Sequence, residues 1–190
     1  MANPNYQSDK KILYVGIDDS NHAGDEKGDI IAATFSFNHK DSLVGRFPNH
    51  KDDLAYSKWV NDPSEQRDYR FVTLFNTELR HTQPNIPLVV PELLESFLEE
   101  QDEEIDGIKI YIDGILRGHH KTQLRDVFSE RYAPFVVANF VKKHGAPHKY
   151  NNMVYMADTL ASSLYAEESI SENPKRIFVD ELEILKRLNL

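Results

Sequence analysis

Short apolar runs alternate with polar loops in the first part of the chain and predict three strands, with one possible helix, around residues 52–60, in the long connection before the third. Residues 11–18 (KILYVGID) follow a polar tail and end in an acid, a pattern typical of a largely buried strand. Residues 29–37 (DIIAATFSF) form the second apolar run, after a polar loop whose length suits an antiparallel return rather than a helical crossover. Residues 69–76 (YRFVTLFN) alternate between polar and apolar positions and predict the third strand. The connection over about residues 38–68 is longer than most hairpin loops, and one interpretation is a flap over a site.

Apolar residues at helical spacing mark the second half of the chain, where predicted helices and strands alternate. The predicted helices are residues 91–101, 118–131 and 152–168, and the predicted strands are residues 107–113 and 134–141. Strands that are joined through helices by right-handed crossovers run parallel, whereas the first three strands are joined by hairpin-type connections. The sequence therefore predicts an α/β protein with one mixed five-stranded sheet flanked by helices. We expect a single domain over residues 1–190, with a C-terminal helical tail at about 174–190.

The composition is that of an ordinary globular domain and excludes several classes of protein. The formal net charge of −9 argues against a high-affinity packager of nucleic acid, because such binding depends on clustered cations. The chain has no cysteine, which excludes disulfide scaffolds, thiolate zinc sites and cysteine nucleophiles. The first residues are polar, and no apolar run approaches the roughly 20 residues that span a bilayer. We expect a cytoplasmic protein with no membrane partner.

Acidic residues end two predicted strands that are expected to be neighbours in the sheet. Asp18 ends the first strand and Asp113 ends the strand over residues 107–113, so both carboxylates are expected at one sheet edge. Asp158 borders the apolar stripe of the last core helix and can face the same edge. Carboxylates gathered in this way repel one another unless a hard cation lies between them, and Mg²⁺ or Mn²⁺ is the natural occupant. A pair of such ions activates a water and stabilises the leaving oxygen in phosphodiester hydrolysis.

Each of these acids has a simpler interpretation when it is taken alone. An Asp at a strand end is more often a turn-forming residue, so it is the joint placement of Asp18, Asp113 and Asp158 that favours a site. Asp19 is a fourth candidate ligand. It points away from Asp18 if the strand continues, and with Ser20 it could simply start an Asx turn.

The motifs that contain these acids resemble the ribonuclease H-like superfamily. IDDS ends the first strand, IDG ends the fourth strand and MADTLASSLY lies in the last core helix, which are the three elements that hold the active-site carboxylates of that superfamily. The nearest resemblance is to a poorly characterised branch, described mainly as a domain of unknown function, with an IDES-type strand end and a late helix that resembles ADxIA. The resemblance implies a ribonuclease H-like fold over about residues 12–168, with Asp18, Asp113 and Asp158 as metal ligands.

The adjacent acids Asp18 and Asp19 are also similar to the Asp-Glu pair of type 2 ribonuclease H. This chain has Asp at the second position, and it has no equivalent of the glycine-rich substrate-sensing motif of that enzyme. The resemblance to that enzyme therefore does not extend to its specificity for RNA/DNA hybrids.

A basic segment follows the acid at position 113. Residues 117–149 contain seven Lys and Arg against two acids, a net charge of +5, which leaves −14 on the rest of the chain. One interpretation is a cationic rim that contacts phosphates beside the acidic site, and the other is an ordinary solvated surface. The candidate nucleic-acid-binding residues are Arg117, Lys121, Arg125, Lys142 and Lys143.

The leading hypothesis is a metal-dependent nuclease that hydrolyses phosphodiester bonds of RNA or DNA with Mg²⁺ or Mn²⁺. The alternative is a non-catalytic protein of the same fold that binds a partner through its acidic face or its tail. An ATP-handling protein of this fold needs two such lobes to enclose a nucleotide, and this chain has one. The apolar tail either covers the core or forms a homodimer contact.

Overall fold

A computed structural model of the chain shows an α/β protein built around a mixed sheet, which confirms the predicted class. The structure describes residues 11–20, 28–45, 67–75, 86–102, 104–113, 122, 126, 136–141, 150–166 and 170–188. Within these residues the strands are β1 (Ile12–Asp19), β2 (Asp29–Ser36), β3 (Val44–Gly45), β4 (Asp68–Leu74), β5 (Gly107–Asp113), β6 (Val136–Val141) and β7 (Tyr150–Asn151). The α-helices of the described part are α1 (Ile86–Leu98), α2 (Asn152–Ala166) and α3 (Glu181–Leu188).

The main sheet has the strand order β4-β2-β1-β5-β6 among the described residues. β2 runs antiparallel to both β1 and β4, whereas β5 is parallel to β1 and β6 is parallel to β5. The predicted antiparallel pairing of the first two strands and the predicted parallel direction of β5 and β6 are therefore confirmed. Because four of the strands share one direction, the carboxyl ends of β1, β4, β5 and β6 lie at one edge of the sheet, which we call the carboxyl edge. β3 and β7 pair separately as a short antiparallel ribbon.

The larger core lies on the face of the sheet where α1 and α3 pack. Leu13, Val15 and Ile17 of β1 are fully buried there, as the alternation of a strand requires. Phe97 of α1 stacks on Phe35 of β2, with the ring centroids 4.2 Å apart. We call this the α1 face.

The opposite face of the sheet is covered by α2, and we call it the α2 face. Tyr14 of β1 packs there against Met153, and Ala32 of β2 belongs to a cluster with Ala161. Gly16 lies directly under the helix, because a Cβ atom at this position would overlap the backbone carbonyl of Met153. The glycine thus permits a close backbone approach of α2 to β1, which is a known use of glycine inside a strand.

The predicted start of the first helix is wrong by five residues. The sequence predicts Pro91 at the first helical position, but α1 begins at Ile86 and contains Pro91. Val89 and Val90, which precede the proline, are fully buried in the core on the α1 face. Their burial keeps the turn before Pro91 helical, although an interior proline removes one backbone hydrogen bond. Of the predicted helix over residues 118–131, the structure describes Thr122 and Asp126, and both are helical.

The C-terminal tail is helical only from Glu181, so the prediction of a helical tail from about residue 174 is wrong in its first part. The backbone of residues 175–177 instead extends beside the edge strand β4. Phe71 donates its N–H to the carbonyl of Lys175 at 3.2 Å and accepts from the N–H of Ile177 at 2.8 Å. Asp180 then caps α3, because its Oδ1 accepts from the backbone N–H groups of Leu182 and Glu183. The tail in this way covers part of the outer backbone of β4, which is an edge strand of the main sheet.

The buried residues of the tail are not the ones that helical spacing indicates. Phe178, Leu182 and Leu185 stand at helical spacing in the sequence, but Phe178 and Leu182 are 77% and 66% exposed. Ile184 and Leu185 are the buried residues of α3 and belong to the core on the α1 face. The extended backbone before Asp180 shifts the phase of the apolar pattern, because a strand alternates with a period of two residues rather than 3.6.

Candidate functional site

Asp18 and Asp113 lie side by side at the carboxyl edge. The parallel pairing of β1 and β5 runs from Ile12 opposite Gly107 to Ile17 opposite Ile112, and the two acids are the next residues on their strands. Neighbouring strands lie about 4.7–4.9 Å apart. The prediction that these two strands are neighbours is therefore confirmed. Their acids occupy adjacent positions just beyond the last paired residues.

Both carboxylates belong to the α2 face of the sheet. Asp18 is opposite Ala32 of β2, which packs under α2. On β5, Ile110 and Ile112 are buried on the α1 face, so Asp113 alternates to the other side. Asp18 is only 6% exposed, although it is the next-to-last residue of its strand. A buried carboxylate is costly for a fold unless its charge is compensated, so this position needs a specific environment.

Asp158 is carried by the helix that covers this face. It is half-buried, directly after the fully buried Ala157 and three residues before Ala161. The predicted position at the margin of the apolar stripe of the helix is thus confirmed. In the described part of the chain, no three Asp, Glu or His side chains lie close enough together to hold a metal ion. Asp18, Asp113 and Asp158 therefore lie on neighbouring elements of one face, but they do not form a cluster of three metal ligands.

Asp19 belongs to the opposite face. It pairs with Ile31 of β2, which is buried in the core on the α1 face. Its backbone N–H donates to Oδ1 of Asp18 at 2.9 Å, so its clearest contribution to the site is to hold the neighbouring carboxylate. Among the two adjacent acids of the IDDS motif, Asp18 is the one that shares a face with Asp113.

A hydrogen-bonded pair that the sequence pattern does not predict fixes the end of β1. Ser20 donates its hydroxyl to Oδ1 of the buried Asp29 at 3.0 Å, and the same hydroxyl accepts from the N–H of Ile30 at 3.1 Å. These bonds tie the chain after Asp18 and Asp19 to the start of β2. The sequence shows Asp29 as an acid at the start of an apolar strand, but only the fold shows that Ser20 is its hydrogen-bond partner.

A second polar cluster on the α2 face surrounds Tyr14. Its hydroxyl shares a hydrogen bond of 3.0 Å with Nδ1 of His39, and the ammonium of Lys109 lies 5.7 Å from the centre of its ring. Burial, and then the nearby Tyr111, raises the pKa of the Tyr14 phenol above its ordinary value. Tyr14 precedes Asp18 by four residues on one strand, a span of roughly 13 Å, so this cluster does not reach the acids directly.

A cavity of about 400 Å³ lies at the other edge of the sheet, away from the acids. It is bordered by an ion network: Arg70 donates to Asp68 at 2.8 Å and contacts Glu100 at 2.6 Å, and Lys175 donates to Asp68 at 2.9 Å. Burial raises the pKa of Asp68, but the hydrogen bonds from Lys175, Arg70 and its neighbour's backbone outweigh it and leave the pKa below its ordinary value. Because acids and bases are paired with each other here, the network holds the tail and α1 to β4.

The predicted nucleic-acid-binding residues lie outside the described residues. They are Arg117, Lys121, Arg125, Lys142 and Lys143. The candidate site therefore rests on the three acids of the α2 face, with the basic segment known from the sequence alone.

No described helix is both long and apolar enough to cross a bilayer. Comparison with protein-family models and with curated protein sequences gives no match to this chain.

Proposed function

We propose that this chain is a metal-dependent nuclease of the ribonuclease H-like superfamily, which hydrolyses phosphodiester bonds of RNA or DNA. One observation supports the proposal: Asp18 and Asp113 lie at adjacent positions near the carboxyl ends of neighbouring parallel strands, on the face that α2 covers. Ligands of open α/β sheets bind outside the carboxyl ends of strands, which is where these two carboxylates lie.

The three elements that carry the acids support the resemblance to this superfamily. In chain order, β1 is the first strand of the main sheet and β5 is the fourth, while α2 is the last helix packed on the sheet centre. These are the elements on which the superfamily carries its active-site carboxylates. Asp158 extends the match to the helix, because it borders the stripe that seats α2 on β1 and β2.

The chemistry of these donors fits Mg²⁺ or Mn²⁺. Both ions prefer oxygen ligands, and Mg²⁺ commonly binds through one or two carboxylates while it retains several waters and contacts substrate phosphates. Two adjacent carboxylates, Asp18 and Asp113, satisfy that requirement, and Asp158 lies on the helix that covers the same face. When bound, such an ion lowers the pKa of a coordinated water and stabilises charge on the leaving oxygen.

The residues around the acids would orient the metal-binding carboxylates and supply positive charge to the substrate phosphates. Asp18 is held at Oδ1 by the N–H of Asp19, so one of its oxygens has a defined orientation. The Ser20–Asp29 pair fixes the strand end next to it. The basic segment at residues 117–149 begins four residues after Asp113 and supplies the positive charge that a phosphate backbone requires.

The test is cleavage by single carboxamide variants. Labelled single-stranded RNA, single-stranded DNA and an RNA/DNA hybrid are incubated with the protein and Mg²⁺ or Mn²⁺, and in parallel with a chelator. We expect Asp18→Asn and Asp113→Asn each to reduce the cleavage rate by more than about 100-fold. Loss of a residue that only hydrogen-bonds to a metal ligand costs about 10- to 100-fold, so loss of a ligand itself should cost more. Asp102→Asn is the matched control, because Asp102 is exposed and lines the cavity at the other edge.

Thermal unfolding must show that the variants remain folded. Cleavage that persists in both Asp18→Asn and Asp113→Asn, or that is insensitive to the chelator, contradicts the proposal. Isothermal calorimetry of Mn²⁺ gives a second measurement, because the parent chain is expected to bind the ion and Asp113→Asn to bind it more weakly.

A second candidate function is a non-catalytic protein of the same fold that binds a partner, including a second copy of itself, through its tail. The exposed apolar side chains of Phe178 and Leu182 favour it. This function predicts no cleavage, no binding of Mn²⁺ by calorimetry, and concentration-dependent association in sedimentation.

A further inference from the structure

An arginine lies between two exposed aromatic rings on the tail side of the sheet. The guanidinium carbon of Arg176 is 5.7 Å from the ring centre of Phe75 and 4.8 Å from that of Phe178. The rings are 49% and 77% exposed. We call these three residues the Phe-Arg-Phe cluster.

Arg176 differs from the buried arginines in the groups that surround its charge. Arg67 donates to both oxygens of Asp41, and Arg70 contacts Asp68 and Glu100. Across the part of the chain that the structure describes, the guanidinium of Arg176 makes no ion pair, and its buried Nε has no hydrogen-bond partner. Among the described residues, the cation therefore lies against aromatic rings and not against a carboxylate.

The cluster lies at the same edge and on the same face as the candidate acids. β4 runs parallel to β1, and Phe75 directly follows its last residue. A Cβ atom on Gly28 would contact both Thr73 and Phe75, which places these two side chains together. Thr73 alternates with the residues of β4 that are buried on the α1 face, so the pair belongs to the α2 face.

The distance from the cluster to the acids follows from the strand register. Asp18 is level with Ala32 of β2 and with Phe71 of β4. Phe75 is four residues further along, so two strand spacings across and about 13 Å along the strand place it roughly 16 Å from Asp18. A polymer bound at the acids can reach the cluster with its neighbouring units.

Backbone hydrogen bonds hold the cluster in place. Phe71 pairs with residues 175 and 177 on either side of Arg176, and the N–H of Phe75 donates to the carboxylate of Glu181 at 2.9 Å. The rings and the guanidinium are therefore presented by paired backbone on β4 and on the tail.

We propose that the Phe-Arg-Phe cluster is a stacking platform for an unpaired nucleobase, and that the substrate at the acids is single-stranded nucleic acid. This inference rests on the proposed nuclease function. Exposed aromatic rings stack on bases of any sequence, and an unpaired guanidinium beside them binds the adjacent phosphate. An apolar protein partner explains the observations less well, because it would bury the cation of Arg176 without supplying an anion.

The experiment measures binding without cleavage. The full chain is kept in EDTA, and its affinity for fluorescein-labelled (dT)12, (rU)12 and a 12-base-pair DNA duplex is read by fluorescence anisotropy. Phe178→Ala is the main variant, because its ring is exposed and its loss leaves the core intact. Leu182→Ala is the matched control: it removes an exposed apolar side chain from the same tail, and Leu182 is not part of the cluster.

We expect Phe178→Ala to bind both single strands about 5- to 150-fold more weakly, the range for loss of one stacked base at about 1–3 kcal/mol. Leu182→Ala is expected to bind like the parent chain, and binding to the duplex is expected to be unchanged in both variants. Arg176→Gln is expected to reduce the magnitude of the salt dependence of log K by about 0.7, which corresponds to one phosphate contact on a single strand.

Equal single-strand affinities of Phe178→Ala and the parent chain overturn the platform. The same holds if both tail variants abolish self-association in sedimentation while the oligonucleotides bind unchanged, because the surface is then a contact between copies. The cleavage assay with Asp18→Asn decides the nuclease function independently. Cleavage that depends on Asp18 but binding that ignores Phe178 leaves the function standing without the platform. Phe178-dependent binding without cleavage supports the platform alone.

Discussion

The seating of α2 on β1 depends on the absence of a side chain at Gly16, and Gly16→Ala tests it. A methyl group at this position would overlap the carbonyl of Met153, so either the helix or the strand must move. Ordinary contacts between heavy atoms require about 3.5–4.0 Å, which means a local shift of roughly 1 Å or more. Because the overlapping atoms belong to backbone, a change of side-chain rotamer cannot relieve it.

Two measurements follow from that shift. Overpacking of this kind costs about 1–3 kcal/mol, which for a chain of this size lowers the melting temperature by about 2–12 °C. A displacement of about 1 Å at a catalytic group costs up to about 100-fold in rate, so the proposed cleavage should fall by a comparable factor. Circular dichroism gives the melting temperature, and the labelled oligonucleotide assay gives the rate.

Thr34→Val is the matched control for Gly16→Ala. The hydroxyl of Thr34 donates to the same carbonyl of Met153 at 3.1 Å, so its removal loosens the contact without adding bulk under the helix. We expect a loss of about 1 kcal/mol and little effect on cleavage. A Gly16→Ala protein that melts like the parent chain and cleaves at the same rate would refute the close approach of α2 to β1.

Two predictions concern the buried ion pairs. Asp41→Asn removes the carboxylate that accepts two hydrogen bonds from the buried Arg67, and should lower the free energy of unfolding in urea by about 3–5 kcal/mol. Ser36→Ala, which removes one hydroxyl donor to the same carboxylate and leaves its pair with Arg67 in place, should cost less, about 1.5–3 kcal/mol. The pKa of Asp68 is lowered in the fold, so its contribution to stability is present above its ordinary pKa of 3.8 and is lost as the pH falls through the lower folded pKa. Asp68→Asn should therefore be less stable than the parent chain at pH 7 and approach it in acid, and a stability difference that is constant from pH 7 to pH 2 would contradict this assignment.

Local pattern was enough to predict the elements whose burial is regular. β5 matches its predicted bounds, and β1, β2 and α2 differ from theirs by one or two residues. In these elements each apolar residue meets the core on the face that its own periodicity indicates. The same regularity made the neighbouring positions of Asp18 and Asp113 predictable, because parallel strands joined by crossovers bring their carboxyl ends to one edge.

The parts that could not be predicted depend on partners far away in the chain. Residues 175–177 extend because they pair with Phe71, about a hundred residues earlier, and nothing local in PKRI indicates that pairing. The turn before Pro91 is helical because Val89 and Val90 are buried, which outweighs the local preference of a proline for a helix start. The hydrogen bond between His39 and Tyr14 likewise joins residues 25 positions apart, and no local pattern predicts it.

The glycine and the acid of the first strand are best understood together. Gly16 and Asp18 are two residues apart, so they lie on the same face of β1, and the helix that requires the glycine is the one that carries Asp158. An alanine or larger residue at position 16 would hold α2 away from the sheet and with it the third carboxylate. In the sequence VGIDD the glycine therefore bears on the candidate site as directly as the acids do. Its function is to bring a helix backbone within contact distance of the strand whose last residues are acidic.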